Sequence, residues 1–303
     1  MSEVPRCAVI FKTYAWDPFV ERQAQRLAEA AGRLDFYIQI DETNKKLGPV
    51  PFERVDRFTC ADLEAGGLAP RFSLGGVLWW NPDYAHYHFF KQHPDYDYYL
   101  FVEYDVVVQG SLEDFVRSAI DKSADLVAWR ITRPFKLWHW YTYQKDVYAP
   151  EDVRLALLNV CFHTRAGLDY LHQRRLQMAT DTTLVGWPSS ELFVPSESLR
   201  GGMKYVLLDE FGDVSHYDWF PPLMEEDLQP SETPRFIHPV LDRRRFVSSM
   251  LHNTGSLKPG ELDAALARFR REEYANLIWP AARQRAVRRI RHKLIRLRHQ
   301  WGF

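Results

Sequence analysis

The sequence predicts an α/β protein in which helices flank a central sheet, and two observations lead to this prediction. The first forty residues alternate between strand and helix patterns: residues 6–12 form an apolar run, residues 17–32 have apolar positions at helical spacing, and residues 35–40 form a second strand. A strongly apolar strand, YYLFV, follows at residues 98–102. Alternating strands and helices are typical of a Rossmann-type, doubly wound sheet.

The remaining elements follow in chain order from local signals. Pro82 stands at the first turn of a helix, and Ser111 is a typical N-cap with acidic residues behind it. Pro195 is expected to interrupt a partly helical segment. Helices are predicted at residues 82–93, 111–120, 164–176, 190–199 and from 259 onward, with strands at 106–108, 124–129, 157–162 and 205–208. We therefore predict one α/β domain over residues 1–258 and a helical extension over residues 259–303.

Composition excludes several classes of protein. With 46% hydrophobic and 26% charged residues, the 303-residue chain is not an acidic disordered protein. Its apolar runs are much shorter than the ~20 residues that span a bilayer, and its first residues do not resemble a signal peptide. Three widely spaced cysteines suit a reduced, cytoplasmic protein. Aromatic residues reach 15%, with 10 Trp, which could fill the core or offer flat platforms to a sugar ring.

The net charge of −1 conceals an uneven distribution. Residues 281–303 hold eight Lys and Arg and no acid, whereas the rest of the chain has 31 basic and 40 acidic residues. Apolar residues in this tail recur at spacings of three and four, which predicts a basic amphipathic helix. Such a helix suits an anionic membrane surface, placing the protein on the inner face of the cytoplasmic membrane. The alternatives are a helix packed on the domain or, less favoured, a tail that binds nucleic acid.

The usual catalytic motifs are absent from the sequence. It has no GxxxxGK[ST] loop, no GxGxxG after the first strand, and no HExxH, CxxC or GxSxG motif. These absences argue against a kinase, a zinc protease or a serine hydrolase of the common types.

The most informative segment is Glu103-Tyr104-Asp105, directly after the apolar strand at residues 98–102. In extended backbone, side chains at i and i+2 point the same way, so the two carboxylates would lie together. Carboxylate oxygens at the end of a strand are suitable ligands for Mg²⁺ or Mn²⁺. The alternative is that both acids only end the strand and face water, although charges beside a buried strand favour a functional role.

This motif resembles the DxD signature of GT-A glycosyltransferases, with Glu in place of the first Asp. The resemblance extends over residues 6–240, through the strand–helix–strand opening and the helix after the motif. It implies a GT-A-like mixed sheet and a nucleotide-sugar donor. Glu103, Asp105 and His238, in FIHPV, would then be metal ligands for Mn²⁺ or Mg²⁺, with Glu103 also near the donor.

The resemblance also implies donor and catalytic residues. Phe11, Thr13 and Tyr14 lie at the end of the first strand, where such enzymes contact the donor nucleotide, and Asp41 ends the second strand, where an acid meets the base or ribose. Glu191, in WPSSELF, would be the general base of an inverting transfer. For each of these residues an ordinary structural role is the alternative.

The function that we expect is metal-dependent transfer of a sugar from a nucleotide-sugar to a glycan or glycolipid acceptor in cell-surface polysaccharide synthesis. Two alternatives remain. A sugar-phosphate nucleotidyltransferase also combines an α/β sheet with a metal, but it usually has a glycine-rich basic loop after the first strand, which is missing here. A non-catalytic carbohydrate- or lipid-binding protein would keep the fold without the chemistry.

Overall fold

The computed structural model describes residues 4–68, 80–138, 140–145, 147–283 and 285–286. Contacts along the chain divide it into two compact units. The first comprises Met1–Ser215 and Ser231–Ile237, and the second comprises His216–Pro230 and His238–Phe303. A domain over residues 1–258 with a helical extension stays a prediction.

Eleven strands alternate with eight α-helices in the described chain. The strands are β1 Cys7–Thr13, β2 Asp35–Asp41, β3 Val55–Phe58, β4 Tyr98–Glu103, β5 Val107–Gln109, β6 Leu126–Arg130, β7 Ala156–Thr164, β8 Tyr205–Leu207, β9 Leu223–Met224, β10 Arg235–Ile237 and β11 Val240–Leu241. The helices are α1 Pro18–Ala31, α2 Cys60–Ala65, α3 Pro82–Gln92, α4 Leu112–Asp121, α5 Arg165–Thr180, α6 Ser190–Arg200, α7 Arg243–His252 and α8 Glu261–Leu266.

The first unit is built on a seven-stranded sheet in the order β3-β2-β1-β4-β7-β6-β8. Strand β7 is antiparallel to both β4 and β6, and the other neighbours are parallel. This mixed α/β sheet confirms the predicted fold class. Because β1, β2, β4 and β6 run in the same direction, their carboxyl ends lie along one edge of the sheet, where open α/β sheets bind ligands.

The opening strand and helix form as their sequence predicts. Every residue of β1 is buried, which is typical of a central parallel strand. The Asp17 side chain accepts hydrogen bonds from the amides of Phe19 and Val20, so it caps α1. Gly32 ends the helix with φ of 59°, in the left-handed region that favours glycine.

Helix α6 differs from the expectation that Pro195 would interrupt it. The helix runs without a break from Ser190 to Arg200, and Pro195 is fully buried within it. Pro195 is the sixth of the eleven helical residues and cannot donate to the carbonyl of Glu191, so the helix lacks one interior hydrogen bond and still continues. Strand β3 and helix α2 carry no strong pattern and were not predicted.

The second unit has a small core of its own. Strands β9 and β11 pair in parallel, and α7 packs beside them. Arg243 forms an ion pair with Glu226 at 2.7 Å on its surface. The buried core residues are Phe220, Met224, Leu241, Phe246, Val247, Met250, Leu251, Phe269, Ile278 and Ala281.

The amphipathic helix predicted over residues 281–303 lies outside the described residues, apart from 281–283 and 285–286. In the part of the chain that the structure describes, no helix combines the length and the apolar character needed to cross a membrane.

Candidate active site at the carboxyl edge of the sheet

The acidic motif lies at the carboxyl end of β4. Glu103 is the last residue of the strand, and the Val106 amide donates to the Glu103 carbonyl at 3.0 Å, so Tyr104 and Asp105 form a turn. The motif is therefore not extended throughout, as the sequence suggested, because the chain turns as soon as the strand ends. A carboxylate oxygen of Glu103 and one of Asp105 nevertheless lie within 4.8 Å of each other.

Glu103 is held by partners on both neighbouring strands. Lys12 of β1 is its register partner, and the Lys12 ammonium lies 3.3 Å from Oε1. On β7, Val160 pairs with Val102, so Asn159 stands opposite Glu103 and its amide donates to Oε2 at 2.6 Å. Because neighbouring strands lie about 4.8 Å apart, these side chains meet without bending the backbone. Each carboxylate oxygen thus has a fixed donor.

Lys12 is a buried cation and a part of the site that we did not predict. It is 1% exposed, and its ammonium also lies 3.0 Å from Nε2 of His86. Burial, together with the charge of Lys12 and the nearby His163, holds the pKa of His86 well below its usual value. His86 is therefore neutral and accepts a hydrogen bond from Lys12. The sequence signal that could have identified Lys12 is its position as a charged residue near the end of an otherwise apolar strand.

The residues predicted to contact the donor from β1 have different exposures. Phe11 and Thr13 are fully buried, since β1 is a central strand, and neither side chain offers exposed surface to a nucleotide. Tyr14 is 53% exposed. Its hydroxyl lies 3.1 Å from that of Tyr104, and the two rings pack edge to face. Of the three, Tyr14 alone presents a side chain to solvent at this edge.

Asp41 ends β2 at the same edge and is 3% exposed. Its Oδ1 accepts a hydrogen bond from the amide of Thr43 at 2.8 Å. Within the described part of the chain, its Oδ2 is buried and has no hydrogen-bond partner. A buried carboxylate oxygen without a donor is costly, so this atom is suited to accept a hydrogen bond from a ligand hydroxyl or amine.

Glu191 occupies the first turn of α6 and is partly buried. Burial and the negative charge of Glu103 raise the pKa of Glu191 to about 8, whereas the Trp138 side chain acts in the opposite direction. Glu191 therefore titrates close to neutral pH, and it is near enough to Glu103 to sense its charge. Trp138 belongs to the connection between β6 and β7, which starts at the same edge of the sheet.

Glu197, further along α6, has a structural role. It is 1% exposed, accepts a hydrogen bond from the Tyr148 hydroxyl at 3.0 Å, and pairs with Arg174 at 3.1 Å. These partners occupy its carboxylate, so Glu191 is the better candidate for a base.

His238 follows β10 and belongs to the second unit. In that unit its Nδ1 lies 2.7 Å from the carbonyl oxygen of Asp218. A carbonyl only accepts, so Nδ1 donates this hydrogen bond, and in the neutral tautomer with this bond Nε2 is the nitrogen that can bind a metal. In the first unit, Ile237 of β10 pairs with Val107 of β5, two residues after Asp105.

No model of a known protein family and no curated protein matches the sequence. Solved structures with a partial likeness include mouse xyloside xylosyltransferase 1 in its apo form, at 11% identity and a TM-score of 0.42, over 77% of this chain and 97% of that one. A glycosyltransferase involved in glycosylation of the major capsid of PBCV-1 gives 8% identity and a TM-score of 0.36, over 73% and 86%. The galactosyltransferase LgtC, in complex with donor and acceptor sugar analogs, gives 10% and 0.42, over 72% and 76%.

All three are glycosyltransferases, the class that the sequence resembles. At TM-scores of 0.42 and below, these likenesses do not establish a function for this chain.

Proposed function

We propose that the chain is a metal-dependent glycosyltransferase that moves a sugar from a nucleotide-sugar donor to a glycan or glycolipid acceptor. The observation that carries the proposal is that Glu103 and Asp105 lie together at the carboxyl edge of the sheet. Burial and the charge of Glu103 also raise the pKa of Glu191. Two carboxylates that suit a divalent cation and a third with a pKa near neutrality supply the chemistry that this transfer needs.

The proposed metal ligands are Asp105, Glu103 and His238. Carboxylate oxygens suit Mg²⁺ and Mn²⁺, and a neutral imidazole favours Mn²⁺. His238 is supported by the hydrogen bond from its Nδ1 to the Asp218 carbonyl, which in the neutral ring leaves Nε2 as the atom that can bind a metal. The donor set therefore fits the ion. When bound, the ion would neutralise the charge that develops on the leaving nucleoside diphosphate.

Glu191 is proposed as the general base of an inverting transfer. A base is most effective when its pKa lies near the working pH, and burial raises the pKa of Glu191 to about 8. Its carboxylate would accept the proton of the acceptor hydroxyl while that oxygen attacks the sugar. Tyr14 and the Oδ2 atom of Asp41 are the proposed contacts for the donor nucleotide. Tyr14 is exposed at this edge, and Oδ2 of Asp41 is buried without a hydrogen-bond donor in the described chain.

The test is release of nucleoside diphosphate from a panel of UDP- and GDP-sugars with Mn²⁺, measured with and without candidate acceptors. Acceptor-dependent release supports transfer. Donor binding in a thermal-shift assay without release would instead indicate a binding protein, and release of pyrophosphate from a nucleoside triphosphate and a sugar phosphate would indicate a nucleotidyltransferase.

Two substitutions separate the proposed roles. Asp105→Ala is expected to abolish Mn²⁺-dependent donor binding in calorimetry while the protein stays folded. Glu191→Gln is expected to bind donor normally and to lose at least about 100-fold in turnover, the usual contribution of a positioned base. Unchanged donor affinity in the first variant would remove the metal site, and near-normal turnover in the second would remove the base.

We also propose that residues 281–303 attach the enzyme to the inner face of the cytoplasmic membrane, where it would act in synthesis of a cell-surface polysaccharide. The support is the charge and spacing of the tail, together with Trp279, which is 66% exposed just before it. Flotation with anionic and neutral liposomes should recover the full chain only with anionic lipid. Equal recovery of a variant truncated after residue 280 would refute the attachment.

A further inference from the structure

A fully buried ion pair contacts the residues that precede Glu191 in the chain. Asp83 of α3 and Arg175 of α5 are both 0% exposed, and Nε of Arg175 donates to Oδ2 of Asp83 at 2.7 Å. Removing two charges from water is costly, and apolar replacements of the same volume are often at least as stable. The pair therefore calls for a role other than stability alone.

Both members of the pair bind the turn before α6. The hydroxyl of Ser190 donates to Oδ1 of Asp83, so the two oxygens of the carboxylate hold Arg175 and Ser190. Nη1 of Arg175 donates to the carbonyl of Pro188 at 3.1 Å. The guanidinium also stacks on Phe193, with its carbon 3.7 Å from the ring centroid. Charge-assisted bonds of this kind are short and directional, so they fix the backbone on which they act.

The turn is fixed from its other side as well. The Trp187 amide donates to the carbonyl of Tyr143 at 2.7 Å, and its indole donates to Asn81 at 3.4 Å. At Gly186 any side chain would collide with the carbonyl oxygen of Gln144, only 2.1 Å from an ideal Cβ. Glu191 is the next residue after Ser190, at the end of this clamped turn.

We infer that Asp83, Arg175 and Ser190 form a positioning triad that holds the Glu191 carboxyl in its partly buried setting at the first turn of α6. All three residues are fully buried, so none of them is exposed to a ligand. They act through the backbone of residues 188–190, which sets where α6 begins and thus where its first carboxyl group lies. The hydrogen bonds of the triad are independent of the proposed function. Its effect on catalysis rests on the proposed role of Glu191 as base.

The experiment removes the hydroxyl of Ser190 and measures the pKa of Glu191 by NMR. The protein is labelled with ¹³C at the Glu carboxyl carbons, and the Glu191 resonance is assigned by its loss in Glu191→Gln. Ser190→Ala is compared with Ser198→Ala, a fully buried serine of the same helix whose hydroxyl has no hydrogen-bond partner in the described chain. All titrations are made without metal or nucleotide.

We expect Ser190→Ala to move the pKa of Glu191 down by a unit or more, because a loosened turn admits water to the carboxyl. Ser198→Ala should leave it unchanged, and Ser190→Thr, which keeps the hydroxyl, should restore it. An unchanged pKa in folded Ser190→Ala would overturn the inference. If Ser190→Ala does not fold, Ser190→Cys, whose thiol is only a weak donor to Asp83, takes its place with the same criterion.

Turnover of a donor found by the nucleotide-sugar panel then separates the two proposals. At about pH 9, where Glu191 is ionised in both proteins, the triad and the base together predict that Ser190→Ala lowers kcat about tenfold, because the carboxylate is no longer held in place, and leaves the KM for the donor unchanged. A lowered pKa with an unchanged kcat would support the triad and refute Glu191 as base. An unchanged pKa with a lowered kcat would refute the triad.

Discussion

Ionisation of Glu191 should make the folded protein less stable as pH rises. Its pKa is raised from 4.5 to about 8 in the folded state, so its neutral form is favoured by folding. The stabilising contribution is complete below pH 4.5 and is lost as pH rises to about 8. At about 1.4 kcal/mol per unit, the shift corresponds to at most about 5 kcal/mol. Between pH 5 and pH 8.5 the loss would be about 4 kcal/mol.

Glu191→Gln removes this ionisation and should remove the loss. Urea unfolding in the presence of a chelator, at pH 5 and pH 8.5, measures the free energy of unfolding of both proteins. The variant should gain about 4 kcal/mol on the wild type between the two pH values. Glu197→Gln, on the same helix, breaks the ion pair with Arg174 and should destabilise the protein at both. An equal pH dependence of wild type and Glu191→Gln would refute the reasoning.

Other contacts of the site lead to two further predictions. Lys12→Met should lower the free energy of unfolding by about 3 kcal/mol, because it leaves Glu103 without its buried cation. Arg54→Met, which breaks an exposed ion pair with Asp35, should lower it by less than about 1 kcal/mol. Equal losses in the two variants would contradict this. Gly186→Ala should cost at least about 2 kcal/mol in the same assay, since its Cβ would lie 2.1 Å from the Gln144 carbonyl oxygen; a neutral result would show that the two segments can separate.

Local patterns in the sequence accounted for much of the first unit. The cap at Asp17, the helical spacing after it and the stop at Gly32 are local signals, and they defined α1 to within a residue or two. The apolar runs of β1, β2 and β4 were equally clear, because strands buried on both faces are continuously hydrophobic. Strand β3 was missed because its four residues form a strand only by pairing with β2. The proline rule failed in α6, which continues past the one interior hydrogen bond that Pro195 cannot form.

The residues of the candidate site also differ in whether the sequence or the tertiary structure identified them. The sequence by itself pointed to Glu103 and Asp105, since charges beside a buried strand stand out from their neighbours, and the resemblance to GT-A glycosyltransferases pointed to Glu191. Only the tertiary structure revealed that Lys12 and Asn159 hold Glu103, because strand register joins residues that are far apart in the chain. The structure likewise revealed that Tyr14 is exposed and Phe11 is buried, and that burial raises the pKa of Glu191. Chemistry that depends on residue type could be predicted from the sequence, whereas chemistry that depends on neighbours and solvent required the fold.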